Sequence, residues 1–144
     1  MTYGNIYVAQ ISLANPAQAV KAIIEAEAYD GPSLIIAYSH CIAHGIKMDS
    51  AIEGCKDAVN SGHWPLYRYN PDLARKGMNP LQLDSKEPTI RFEDYAAKQN
   101  RFTVLKSINP DSAEMLMAKA NKETAKRFKM YKAMADLQLE GEDS

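Results

Sequence analysis

The sequence predicts an α/β fold: a parallel strand–helix–strand unit, then an irregular wrap, then a helical tail. Three observations carry that prediction. Two β-prone runs, residues 6–11 and 34–38, flank a helix whose start and stop are both marked. Prolines break residues 63–91 at Trp64-Pro65, Asn70-Pro71, Asn79-Pro80 and Glu87-Pro88. An amphipathic pattern then runs from Asn109-Pro110 to about Gln138.

The first run, Ile6-Tyr7-Val8-Ala9-Gln10-Ile11, is rich in β-formers. Asn15-Pro16-Ala17-Gln18 then opens a helix: Asn caps, Pro suits the first turn, and Gln can reach back to the cap amide. Val20, Ile23 and Ile24 stand on one side of that helix. Asp30-Gly31-Pro32 should end it, with Gly31 as a left-handed cap. Leu34-Ile35-Ile36-Ala37-Tyr38 is apolar on both faces, which suits a strand covered on both sides in a parallel sheet. The two strands should therefore be parallel, with a right-handed crossover.

A second helix is expected over residues 48–61, with Ile52, Cys55 and Val59 at helical spacing and Gly62 as its stop. Short strands at residues 65–69 and 81–83 fit between the proline breaks. So long an irregular stretch is usually functional, or wraps another part of a larger body. Residues 92–107 read as helical. In the last helix Met117, Ala120, Thr124, Phe128 and Tyr131 form the packed stripe, and residues 140–144 form a solvated tail.

The composition, 46% hydrophobic and 24% charged over 144 residues, is enough to bury a core without disulfides. A net charge of −1 offers no basis for binding nucleic acid or an anionic membrane. No apolar run approaches the roughly 20 residues of a membrane span. Nothing at the start resembles a secretory signal, and two cysteines do not make a disulfide framework. A reducing cytoplasm is the expected location. The seven glycines never fall closer than eight residues apart, so no glycine-rich loop can cradle a nucleotide. Glu25, Glu27, Glu93 and Asp94 read as surface charge, and the lysines of the last helix as a solvated face.

The segment with chemical potential is Tyr38-Ser39-His40-Cys41-Ile42-Ala43-His44-Gly45, directly after the second strand. Ligands collect at the carboxyl ends of strands in open α/β sheets. One thiol and two imidazoles could serve zinc or iron, yet a closed zinc site or an iron–sulfur cluster takes four ligands. The chain has only two cysteines and cannot complete a cluster alone. The simpler reading makes Cys41 a small buried hydrophobe. A nucleophilic Cys41 activated by His40, His44 or His63 is the enzymatic alternative. Cys55, on the apolar side of its helix, reads as core, and His63 and Trp64 as packing groups in a turn.

Gly31-Pro32-Ser33-Leu34-Ile35-Ile36-Ala37-Tyr38-Ser39-His40-Cys41-Ile42 resembles a segment of the pyruvate:ferredoxin (flavodoxin) oxidoreductases. The resemblance continues through Ser61-Gly62-His63-Trp64-Pro65-Leu66-Tyr67-Arg68-Tyr69-Asn70-Pro71, then Asn79-Pro80-Leu81-Gln82-Leu83-Asp84-Ser85-Lys86 and Gln99-Asn100-Arg101-Phe102. Even Met1-Thr2-Tyr3-Gly4 is similar to an internal stretch of the family.

The resemblance implies that residues 1–62 are the end of a thiamine-diphosphate-binding α/β domain. Residues 63–144 would be an irregular segment and helical carboxy-terminal extension of the same domain. It implies that Cys41 is one thiolate ligand of the [4Fe-4S] cluster nearest the thiamine diphosphate, the other ligands lying upstream. Cys55 matches no ligand of the family. Thiamine diphosphate with Mg²⁺, the pyruvate site and the coenzyme A site would belong to the complete homodimeric enzyme, which passes electrons to ferredoxin or flavodoxin. The remainder of the oxidoreductase chain is then the partner of this segment, with neither nucleic acid nor membrane involved. The 144 residues alone should be inactive. A freestanding α/β interaction module without catalysis is the reading from a different class.

Overall fold

The computed structural model describes Met1, residues 3–41 and residues 48–138. Strand β1 (Tyr7–Ser12), helix α1 (Pro16–Ala28) and strand β2 (Ser33–Tyr38) form the first unit. β1 and β2 pair in parallel from Tyr7↔Ser33 to Ser12↔Tyr38, as the sequence pattern requires. Asn15 caps α1 by accepting from the Gln18 amide, and Pro16 occupies the first turn. Gln18 does not reach back to the cap: its side-chain amide donates to Gln10 O and to Asp84 Oδ2 instead.

Helix α2 (Ala51–Asn60) follows a 3₁₀ turn at Met48–Ser50. It ends at Gly62, whose φ of 71° is the left-handed conformation a helix stop favours. Then come β3 (Tyr67–Tyr69), the single turn α3 (Pro71–Ala74) and β4 (Leu81–Leu83). β3 pairs antiparallel with both β1 and β4, so the sheet order is β2-β1-β3-β4 and the sheet is mixed. β1 lies inside it and is buried along its whole length.

Residues 92–107, expected as one helix, divide into α4 (Phe92–Ala96) and α5 (Asn100–Ile108). The break brings Phe102 round onto Phe92 and Tyr95, with ring centroids 5.4 and 6.2 Å apart. The final helix α6 (Pro110–Asp136) is capped by Asn109. Its Thr124 and Phe128 are buried, and Tyr131 stacks on Tyr67 beneath β3. At its other end the Asn79 amide donates to the carbonyls of Met134, Ala135 and Leu137, groups that otherwise have no partner within the helix. A hollow of about 320 Å³ lies between α4, α5 and α6, lined by Phe92, Phe102, Leu105, Leu116 and Met117.

Two further local expectations, the cover on both faces of β2 and the left-handed cap at Gly31, are overturned, and the burial of α1 is distinctive. The packed face of α1 is Ala19, Ala22 and Ala26 against Tyr7, Ala9 and Ile11, while Val20, Ile23 and Ile24 point outward. Small residues let helix and sheet approach closely, and the bulky ones fall on the far side. β2 is not covered on both faces: it is an edge strand, and Leu34 and Ile36 are exposed. Nor does Gly31 adopt a left-handed conformation. A side chain there would strike the Tyr29 ring, 2.7 Å from where its Cβ would sit. His44 and the tail at residues 140–144 lie outside the described residues.

Candidate functional site

The site is built at the carboxyl end of β2. Because β2 is an edge strand, sheet packing fixes only one of its sides, and the strand end depends on other anchors. Tyr38, its last residue, supplies two. Its hydroxyl is 2.6 Å from the hydroxyl of Tyr95 on α4. Its ring packs against Trp64 with centroids 5.4 Å apart, and the Trp64 indole N–H donates to Ile11 O at 3.0 Å. The strand end is thereby tied to β1 and to α4 together.

Tyr95 is fully buried. Burial pushes its pKa well above the ordinary tyrosine value, and the bonded Tyr38 hydroxyl pushes the same way. Arg101 on α5 donates to the Tyr95 oxygen at 2.6 Å. His63 stacks on Tyr95 with centroids 5.2 Å apart and also contacts Phe92. Burial lowers the His63 pKa to about 4, with Arg127 and Arg101 adding to the shift, so this imidazole is neutral near pH 7. It is a packing group, as its place beside Pro65 suggested.

Beyond Tyr38 the chain leaves the sheet through Ser39 and His40 to Cys41, which is a free and exposed thiol. Exposure contradicts the reading of Cys41 as a small buried hydrophobe. The other cysteine lies beneath the segment. Cys55 is fully buried, and its sulfur is 4.0 Å from His40 Nδ1. Burial raises the Cys55 pKa, partly offset by hydrogen bonds from Ser12 and from the His40 backbone. His40 is thus directed at Cys55, which disfavours a Cys41–His40 nucleophilic pair.

A [4Fe-4S] cluster needs thiolate ligands, and the donor set decides what this chain can offer one. Cys41 is free to face a cluster, whereas Cys55 is engaged inside the core. No group of three or more His, Cys, Asp or Glu able to hold a metal occurs among the described residues. The residues fit the supply of a single thiolate to a group held mainly by other parts of a protein.

A second polar constellation was not anticipated from the sequence. Arg68 on β3 is only 5% exposed and bonds both Asp84 and Glu25, the latter read from sequence as surface charge. Tyr7 donates to the other Glu25 oxygen at 3.1 Å. No local signal could have paired residues 25, 68 and 84. The same holds for Tyr38 and Tyr95, which are 57 positions apart. Among the described residues no helix is long and apolar enough to cross a membrane.

No family model matches the chain. It is 51% identical over 136 residues to the pyruvate-flavodoxin oxidoreductase of Trichormus variabilis, covering 94% of this chain and 11% of that protein. It is 50% identical over 137 residues to the pyruvate:ferredoxin oxidoreductase of Moorella thermoacetica, covering 94% and 12%. The mitochondrial pyruvate dehydrogenase [NADP(+)] of Euglena gracilis is 45% identical over 138 residues, covering 94% and 8%. The chain thus spans about a tenth of the length of the relatives it matches. Nearly the whole of it, Cys41 segment and capped helices alike, is homologous to one segment of the pyruvate:ferredoxin and pyruvate-flavodoxin oxidoreductases.

Proposed function

We propose that this chain acts as part of a pyruvate:ferredoxin or pyruvate-flavodoxin oxidoreductase, an enzyme that converts pyruvate and coenzyme A to acetyl-CoA and carbon dioxide while passing the two electrons released, one at a time, to ferredoxin or flavodoxin. Within it, residues 1–62 would form the end of a thiamine-diphosphate-binding α/β domain, and residues 63–144 an irregular segment and helical carboxy-terminal extension of the same domain. Cys41 would be one thiolate ligand of a [4Fe-4S] cluster close to the thiamine diphosphate. When bound, such a cluster supplies one-electron transfer towards the acceptor. Ferredoxin and flavodoxin both appear in the names of relatives, and a third relative is named for NADP(+).

The observation that carries this reading is the placement of Cys41: a free, exposed thiol just past the end of a parallel strand. The outward apolar surface supports it too. Val20, Ile23 and Ile24 on α1, and Leu34 and Ile36 on the edge strand, are what a segment buried in a larger body would present. The remainder of the oxidoreductase chain is the partner that would cover them.

Replacing Cys41 with serine in the intact oxidoreductase tests the assignment, because oxygen is a poorly matched ligand for iron in a cluster. Expected are a loss of bound iron and altered electron paramagnetic resonance of the reduced enzyme, with pyruvate binding retained. A full iron complement with unaltered signals would refute the ligand role. The 144 residues alone, given pyruvate, coenzyme A, thiamine diphosphate and Mg²⁺ anaerobically, should not reduce a viologen dye. Thiamine-dependent reduction by them would overturn the reading of this chain as one part of a larger enzyme.

A further inference from the structure

We propose that Tyr38 and Tyr95 are positioning residues for Cys41, their paired hydroxyls fixing the direction in which the chain leaves β2. This rests on the reading of Cys41 as a cluster ligand. Cys41 lies three residues beyond Tyr38, within about 10 Å even for a fully extended chain. Whatever holds Tyr38 therefore limits where the thiol can be.

The sheet holds Tyr38 from one side, through its pairing with Ser12 on β1. β2 pairs on one side only, and Leu34 and Ile36 are exposed on one of its faces. A further, side-chain constraint comes from below: the 2.6 Å bond to Tyr95, the Trp64 ring, and the Trp64 tether to Ile11 O. Tyr95 can act as an anchor because it is itself immobilised. It is fully buried, Arg101 binds its oxygen at 2.6 Å, and His63 stacks on its ring. A second, longer contact joins Cys55 to the ring of His40, immediately before Cys41.

A hydrogen bond in such surroundings adds only modestly to stability but is strongly directional. Groups outside a metal's own ligands orient those ligands and tune the metal in this way. Phenylalanine at either position would keep the ring packing and remove the constraint on direction.

The test uses the intact oxidoreductase with Tyr38→Phe, Tyr95→Phe, the double variant, and Cys41→Ser. The readouts are iron content, g-values of the reduced cluster, its rate of bleaching by an iron chelator, and the thermal midpoint. The two single variants should assemble the cluster, shift its g-values and bleach several-fold faster at a nearly unchanged midpoint. The double variant should be no worse than Tyr95→Phe, which already removes the shared bond together with the Arg101 contact. Arg101→Gln, which loosens Tyr95 from an exposed position, should give a smaller shift in the same direction and serves if a phenylalanine variant misfolds. Unchanged g-values and bleaching in the Tyr38 and Tyr95 variants, with cluster loss in Cys41→Ser, would overturn the positioning role and leave the ligand role standing. A fall in midpoint that accounts for the faster bleaching would reduce the pair to a structural role and also overturn it. An intact cluster in Cys41→Ser would instead remove the ligand reading itself.

Discussion

Arg68 grips Asp84 with two parallel hydrogen bonds, Nε to Oδ2 at 2.9 Å and Nη2 to Oδ1 at 2.8 Å. Its remaining terminal nitrogen meets Glu25 at 2.5 Å. One guanidinium thus joins α1, β3 and the segment after β4. Only a planar fork can serve two carboxylates in this geometry. Arg68→Met would leave two partly buried carboxylates facing each other without a cation, at a cost of ~3–5 kcal/mol. Arg68→Lys should recover only part of that, since an ammonium cannot reproduce the two-pronged bond. Urea unfolding of the three proteins checks both expectations.

His63 makes stability depend on pH in a defined direction. Its folded pKa of about 4 lies below the ordinary value of 6.5, so between these limits the unfolded chain binds the extra proton. The contribution is complete above pH 6.5 and is lost as pH falls towards 4, amounting to up to ~3 kcal/mol. His63→Phe should flatten this part of the profile. Thermal melts from pH 7.5 to 4.5 on both proteins would show it.

The outward face of α1 and the edge of β2 should govern how the 144 residues behave in isolation. Exposed apolar groups beside a strand with one open edge favour association and dye binding. Leu34→Lys and Ile24→Lys should each reduce both, while changing unfolding free energy by no more than about 0.5 kcal/mol. Sedimentation velocity and fluorescence of an apolar-surface dye measure the two effects.

The two thiols should separate cleanly by reactivity. Cys41 is exposed and Cys55 is fully buried. A disulfide reagent should therefore titrate one thiol promptly in the folded chain and the second only after denaturant is added. Cys41→Ser should abolish the prompt phase, and Cys55→Ser should leave it intact.

Much of the architecture was legible because its signals are local. Asn15, Asn109 and Gly62 mark helix ends through backbone geometry that neighbouring residues determine, and all three act where expected. Burial is a different matter. Val20, Ile23 and Ile24 are more hydrophobic than Ala19, Ala22 and Ala26, yet the alanines face the sheet because close approach favours small side chains. Leu34 and Ile36 look like core residues and are left open at a sheet edge. Their pattern is that of a strand with neighbours on both sides. At the candidate site Cys41 was legible through its segment, but Tyr95 and Arg101 were not. Tyr95 meets Tyr38 across 57 positions, and Arg101 meets Tyr95 because the chain turns between α4 and α5.

The asparagine caps have a consequence for how the molecule ages. Asn15, Asn70 and Asn109 open helices, Asn79 closes the last one, and each is followed directly by proline. Deamidation through a cyclic imide requires the next residue's backbone nitrogen to attack the side-chain amide, and a proline nitrogen has no hydrogen to give up. The four carboxamides that hold the helix ends are therefore shielded from that route. Asn5, Asn60, Asn100 and Asn121, which lack a following proline, are where such damage would accumulate first.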